Sequence, residues 1–183
     1  MSAIAVYCAS SDRIEPSYLR LAAEVGAAIA ARGHVLVTGG GSVSMMGAVG
    51  RAAREAGGHT IGVIPDALVA WEVADRDSDE LVVVDGMRRR KAEMDDRADA
   101  FVVLPGGIGT LEEFFEVWTA ATLGMHAKPV VVLDPDGFYD PLWAWLEDLE
   151  KRGFVRRAAL DTLLLARTVA DALTAAETGR LPG

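Results

Sequence analysis

Phe101-Val102-Val103-Leu104-Pro105-Gly106-Gly107-Ile108-Gly109-Thr110-Leu111-Glu112-Glu113 decides the fold. A short apolar, β-rich run passes through a glycine turn directly into a helical pattern. Five further runs have the same character: Ile4-Ala5-Val6-Tyr7, Val35-Leu36-Val37, Thr60-Ile61-Gly62-Val63-Ile64, Leu81-Val82-Val83-Val84 and Val130-Val131-Val132-Leu133. They are nearly continuous rather than alternating, which suits strands of a parallel sheet covered on both faces.

Helical stretches separate these runs. The first is expected from Pro16 to just before Gly33, with Leu19, Ala22, Ala23, Gly26, Ile29 and Ala30 as its inner stripe. Others are expected near Met46 to Ala56, Arg88 to Arg97, Leu111 to Leu123, Pro141 to Arg152 and Val169 to Glu177. Leu163-Leu164-Leu165 reads as an edge strand before the last helix. Alternating strands and helices with right-handed crossovers predict an α/β fold: a single-domain, Rossmann-like three-layer sandwich with a mainly parallel sheet. Ligands are then expected beyond the carboxyl ends of the strands. Residues 1–178 are assigned to one nucleotide-binding domain, and 179–183 to a loose tail.

A chain of 183 residues, 51% hydrophobic, can bury one core but hardly two. Its net charge of −9 disfavours nucleic-acid binding, while leaving room for a small phosphate ligand held by local donors. The single cysteine, Cys8, rules out an internal disulfide framework and fits a reducing cytoplasm. No segment reads as a signal peptide or membrane span. His34, His59 and His126 lie too far apart for a ligand pair at helical spacing and read as surface or loop residues. Asp75 to Glu80, with four acids and one arginine, reads as a solvated loop or as a lid.

Two glycine turns, Thr38-Gly39-Gly40-Gly41-Ser42 and Pro105 to Thr110, follow strands and precede helices, where exposed amides and the positive helix end attract anions. A ligand-free tight turn is the plain alternative for either one. Neither carries the Gly-Lys-Ser/Thr of a P-loop, and Ser44 stands where the last glycine of a dinucleotide fingerprint would fall, so a monophosphate is favoured over NAD. Glu112 and Glu113 follow the second turn. Acids there answer the helix dipole, but one facing the pocket could polarise a ribose hydroxyl or position water. Met87-Arg88-Arg89-Arg90-Lys91 places four cations at a helix start, against the dipole, which an anionic ligand would offset. Adjacent residues diverge by about 100°, so only one or two of them can reach a common site.

Met87-x-x-Arg90-Lys91 followed by Pro105-Gly106-Gly107-x-Gly109-Thr110-x-x-Glu113 resembles the LONELY GUY family of cytokinin-activating phosphoribohydrolases, in its actinobacterial form. Gly39-Gly40-Gly41 and Met46-Gly47 agree with it, and the likeness covers almost the whole chain. The resemblance implies hydrolysis of the N-glycosidic bond of N6-substituted adenosine 5′-monophosphates, giving free base and ribose 5-phosphate. It implies Arg90 and Glu113 as the catalytic pair and Gly106, Gly107, Gly109 and Thr110, with Gly40 and Gly41 upstream, around the phosphate. Lys91, Thr119 and Glu72 fall where the family contacts substrate, while Arg88 and Arg89 fall at variable positions. It further implies a homodimer, and a glycosidic cleavage of this kind requires no metal or organic cofactor. Phe114, Phe115, Trp118 and Met125 offer an apolar face for dimerisation, a role that core packing explains equally well. A broader nucleoside 5′-monophosphate hydrolase and a non-catalytic nucleotide carrier are the competing functions. A pyridoxal-dependent decarboxylase finds little support in a chain with three lysines, Lys91, Lys128 and Lys151.

Overall fold

The computed structural model describes residues 1–69 and 74–182. Seven parallel strands form one sheet: β1 (Ala3–Tyr7), β2 (Val35–Thr38), β3 (Thr60–Pro65), β4 (Glu80–Val84), β5 (Ala100–Val103), β6 (Val130–Leu133) and β7 (Leu163–Ala166). Their order is β4-β3-β2-β1-β5-β6-β7. The chain therefore builds outward from β1 in one direction, returns, and builds outward in the other. Its switch point lies between β1 and β5, where the following loops diverge and leave a crevice.

Alternation along each strand supplies two cores. Ile4, Val6 and Cys8 join Val102 and Leu104 on one face, under α1 (Pro16–Ala31), α2 (Ser44–Glu55) and α8 (Val169–Thr178). Ala5, Tyr7, Phe101 and Val103 face the other layer, which holds α4 (Met87–Arg97), α5 (Ile108–Thr122) and α6 (Asp140–Lys151). Because both faces are covered, the central strands carry buried valines and isoleucines throughout, the cause of their unbroken apolar character.

Several details depart from the sequence expectation. Val25, outside the expected inner stripe of α1, is fully buried, whereas Leu19, Ala23 and Ala30 are only partly so. Two short helices, α3 (Asp66–Val69) and α7 (Arg157–Leu160), add to the expected set, being too short to show a period in sequence. Helix α5 starts at Ile108 rather than Leu111, with Gly107 as its N-cap, so Glu112 and Glu113 sit in its second turn. Asp75 to Glu80 is solvated only in part: Arg76, Asp77 and Asp79 are exposed, but the two ends of the segment are tied to the fold. Asp75 is buried against Arg54, the Asp79 carboxylate accepts from the Thr60 amide and hydroxyl at 2.8 and 2.9 Å, and Glu80 begins β4. Pairing with a half-buried arginine lets Asp75 be buried, while Asp79 stays exposed and anchors the segment to the start of β3. Among the described residues, no helix is long and apolar enough to cross a membrane.

Candidate active site

The second glycine turn leaves β5 beside the end of β1: the Leu104 amide donates to the Tyr7 carbonyl at 2.9 Å, and the Ala9 amide to the Pro105 carbonyl at 3.3 Å. The Tyr139 hydroxyl, buried, donates to the Leu104 carbonyl at 2.8 Å and accepts the amide of Gly106. Asp134, wholly buried, receives the amides of Phe138 (2.7 Å) and Tyr139 (3.1 Å) and pairs with Arg167 at 3.2 Å. The turn thus stands on a hydrogen-bonded post. Neither Tyr139 nor Asp134 stands out in the sequence, because both lie far downstream of the turn and form no local pattern with it. The aspartate at a strand end, just before Pro135-Asp136-Gly137, is the only available signal.

Each motif glycine has its own surroundings. A side chain at Gly106 would come within 2.1 Å of the Thr110 hydroxyl, so folding itself demands that glycine. At Gly107 and Gly109 a Cβ would meet no atom of the chain within 4 Å, and neither has a positive φ. Gly109 nevertheless lies inside α5, where glycine is less favourable than alanine by about 1 kcal/mol. These two glycines hold the chain's own atoms back from the space before the turn. The amides of the first turn of α5 have no side-chain cap, so the positive end of a 15-residue helix faces that space.

Glu113 lies one turn further along α5 and is 8% exposed. Arg90, 5% exposed, reaches it from α4, with Nη1 3.7 Å from Glu113 Oε1. The Arg90 Nε donates to the Val63 carbonyl at 3.2 Å, at the end of β3. Behind the guanidinium lies Gly39, where a Cβ would fall 1.6 Å from Nη2; only glycine lets the first turn back onto this arginine. Burial drives the Glu113 carboxyl up to about 7; Arg90 opposes that shift, while Glu112 adds to it. Desolvation therefore prevails over a pairing too long for a hydrogen bond. Tyr7, at the end of β1, is likewise held well above its ordinary value by burial first and by Glu113 next.

The four cations of α4 separate as their angular spacing requires. Arg88 is exposed, Arg89 pairs with Glu93 at 3.2 Å, Arg90 turns inward and Lys91 meets Glu112 and Glu116 of α5. Burial pulls the Lys91 ammonium down, but its hydrogen bonds to Glu112 and Glu116 outweigh that and hold it above its ordinary value. A cavity of about 910 Å³ runs along α5 from this point, lined by Lys91, Glu113, Phe115, Thr119, Met125 and Tyr7 among others. Arg90, Glu113, Lys91 and Thr119 are thus brought to one region, with Gly107, Gly109 and Thr110 one helical turn away.

Gly40 and Gly41 stand differently. Both are buried, and their amides are already engaged, by the Thr38 hydroxyl at 3.3 Å and the Met46 sulfur at 3.1 Å. Gly39 makes the contact with Arg90 instead. Glu72 lies outside the described residues. Phe114 and Trp118 do not form an outer apolar face: they stack on each other at 5.7 Å inside the second core, and Trp118 Nε1 donates to the Ala159 carbonyl. Met125, by contrast, is 75% exposed.

The sequence model of a family described as "Possible lysine decarboxylase" matches residues 46–176. The chain is 55% identical over 176 residues to the cytokinin riboside 5′-monophosphate phosphoribohydrolase of Mycobacterium marinum, covering 96% of this chain and 94% of that protein. It is 56% identical over 172 residues to the protein of the same name from Mycobacterium tuberculosis, covering 94% and 91%. The solved molybdenum cofactor binding protein from the phototrophic bacterium Rippkaea orientalis shares the fold, with a TM-score of 0.73 at 24% identity over 97% of this chain and 96% of that one.

Proposed function

The chain belongs to the cytokinin riboside 5′-monophosphate phosphoribohydrolase family, and we accordingly propose that it hydrolyses N6-substituted adenosine 5′-monophosphates to free base and ribose 5-phosphate. The observation that carries this reading is a buried carboxylate, Glu113, paired with Arg90 one turn from an uncapped, glycine-cleared helix end. From Gly109 to Glu113 is about 6 Å along the axis at 1.5 Å per residue. That is comparable with the reach of ribose 5-phosphate from its phosphorus to its anomeric carbon. A phosphate seated on Gly106, Gly107, Gly109 and Thr110 brings the scissile C1′–N bond beside Glu113.

Cleavage sends the bonding electron pair to the departing base and leaves positive charge on the ribose. An ionised Glu113 stabilises that charge and orients the water whose oxygen bonds to C1′; a proton passes to the base. Arg90 favours the ionised carboxylate against the desolvation that opposes it. Lys91 and Thr119 line the cavity beyond, for the base and its substituent. With its charge shared between Glu112 and Glu116, Lys91 offers a donor more than a net positive field. Glu72 is assigned a substrate contact from the family resemblance alone.

The decarboxylase description does not fit these residues. A Schiff-base lysine needs a lowered amine pKa. Lys91 is held up by two carboxylates, Lys128 is bound to Asp95 at 3.3 Å, and Lys151 is exposed at the end of α6, outside the cavity.

We further assign a cytoplasmic homodimer. Leu123 (70% exposed) and Met125 border the cavity, and the half-buried Phe115 lines it; Ile108 beside the glycine turn is 88% exposed. A second copy over these side chains would remove them from water and close the cavity. The deciding assay compares N6-isopentenyl-AMP, AMP, GMP and CMP, following free base and ribose 5-phosphate, with free lysine as control. Release from the isopentenyl nucleotide in preference to the others is expected. Equal rates on all monophosphates would assign a broader hydrolase. Tight binding without base release would leave a carrier.

A further inference from the structure

Helix α2 presents Gly47, Gly50, Arg51 and Arg54 at spacings of three and four, on one face. Gly47 lets the Ser42 carbonyl approach to where a Cβ would be only 1.9 Å away, and Arg51 donates to the same carbonyl at 3.1 Å. Gly50 makes room for the Asp75 carboxylate, which would lie 2.9 Å from a Cβ there. Arg54 grips that carboxylate with both terminal nitrogens, at 2.9 and 3.1 Å. Asp75 is 5% exposed. Its amide in turn donates to the Gly40 carbonyl at 2.9 Å, and Ala74 forms an antiparallel bridge with Gly41. The side chain of Asp75 is thus fixed to α2 and its backbone to the first glycine turn. That turn is the surface on which the Arg90 guanidinium lies, through Gly39.

We propose that the Arg54–Asp75 pair is a positioning device for the reaction, holding the Gly39–Gly41 turn where it aims Arg90 at Glu113. The inference rests on the catalytic reading of Arg90 and Glu113 given above. Among the described residues, Arg54 and Asp75 do not line the cavity along α5, and Glu113 is paired with Arg90. A largely desolvated ion pair adds little net stability compared with an apolar pair of similar size, so its value here is geometric: two parallel hydrogen bonds fix both distance and direction.

The test uses the whole enzyme and N6-isopentenyl-AMP. Asp75→Asn is expected to lower kcat about tenfold with KM within about twofold, because small misplacement of a catalytic group affects the transition state more than binding. The acid limb of its pH profile should move to higher pH, since a displaced Arg90 no longer favours ionised Glu113. Arg54→Lys, which keeps charge and one hydrogen bond, should recover part of the rate lost in Arg54→Met. In an Arg90→Lys background Asp75→Asn should cost nothing further.

A lowered melting temperature with unchanged kcat and unchanged acid limb would overturn the inference, leaving the pair merely structural. So would an equal loss from Asp75→Asn in the wild type and in the Arg90→Lys background. Full turnover by Arg90→Lys would instead overturn the catalytic reading of Arg90 itself. Should Asp75→Asn fail to fold, the apolar double variant Arg54→Met/Asp75→Leu serves. It is expected to fold and still lose about the same factor in kcat. An undiminished kcat there would also overturn the inference.

Discussion

Glu113 shows how one residue's chemistry is set by competing terms. Burial raises its carboxyl to about 7, and Arg90, too distant for a hydrogen bond, recovers only part of the difference. A carboxylate that must be ionised to stabilise a ribosyl cation then predicts that kcat/KM rises with pH through about 7, a limb that a pH-rate profile of the free enzyme reads directly. Activity falling over that range would sink the role. Glu113→Gln should lower turnover by roughly a hundredfold or more, in line with the loss of a principal electrostatic stabiliser, while calorimetry still detects nucleotide binding. The same group leaves a mark on stability. An acid whose folded pKa lies above its unfolded one favours the folded state when protonated, so stability is lost as pH rises from about 4.5 to about 7. Denaturant titrations should show that slope flattened in Glu113→Gln.

The end of α5 shows what an element contributes. Gly107 and Gly109 are not needed for chain conformation or internal packing, so their removal should spare the fold and harm the ligand. Gly109→Ala is expected to stabilise the protein by roughly 0.5 to 1 kcal/mol through helix propensity. It should raise KM for nucleotide monophosphates while leaving any turnover of unphosphorylated nucleosides as it was. An unaltered KM would place the phosphate elsewhere. Tyr139→Phe tests the post beneath the turn. Losing the bond to the Leu104 carbonyl and the acceptor for the Gly106 amide should cost about 1 to 3 kcal/mol in a melting experiment, with a fall in kcat/KM as the turn loosens.

At the scale of the whole molecule, the site exists because the strand order reverses at β1 and β5. The loop after β5 rises beside the end of β1, while the ends of β2, β3 and β4 deliver Gly39, the Val63 carbonyl and α4 from the other side. The exposed Leu123 and Met125 at the edge of the cavity, with the exposed Ile108 beside the glycine turn, set the prediction that belongs to this scale. Sedimentation should give twice the mass of one chain, and Met125→Asp should shift the population toward monomer by placing charge in an apolar contact. A wild-type protein sedimenting as a monomer would refute the dimer.

The parallel sheet was legible in the residues alone, since unbroken valine and isoleucine runs are stable only when both faces are covered. So was the glycine turn, because Pro105 to Thr110 followed by a helix is a local pattern. Helix geometry also bounded Arg90 and Lys91 as alternatives in direction. The family resemblance paired Arg90 with Glu113; the physical reason that Arg90 and not Lys91 turns inward lies in the packed molecule, in the register of α4 against β3 and the bare backbone of Gly39. Packing likewise made Asp75 a buried partner of Arg54 and not a surface acid, turned Phe114 and Trp118 inward, and set Tyr139 beneath a turn far upstream of it. Each of these depends on a contact between segments distant in sequence. Periodicity reports the face a residue occupies on its own element, and only the packing of elements fixes what that face meets.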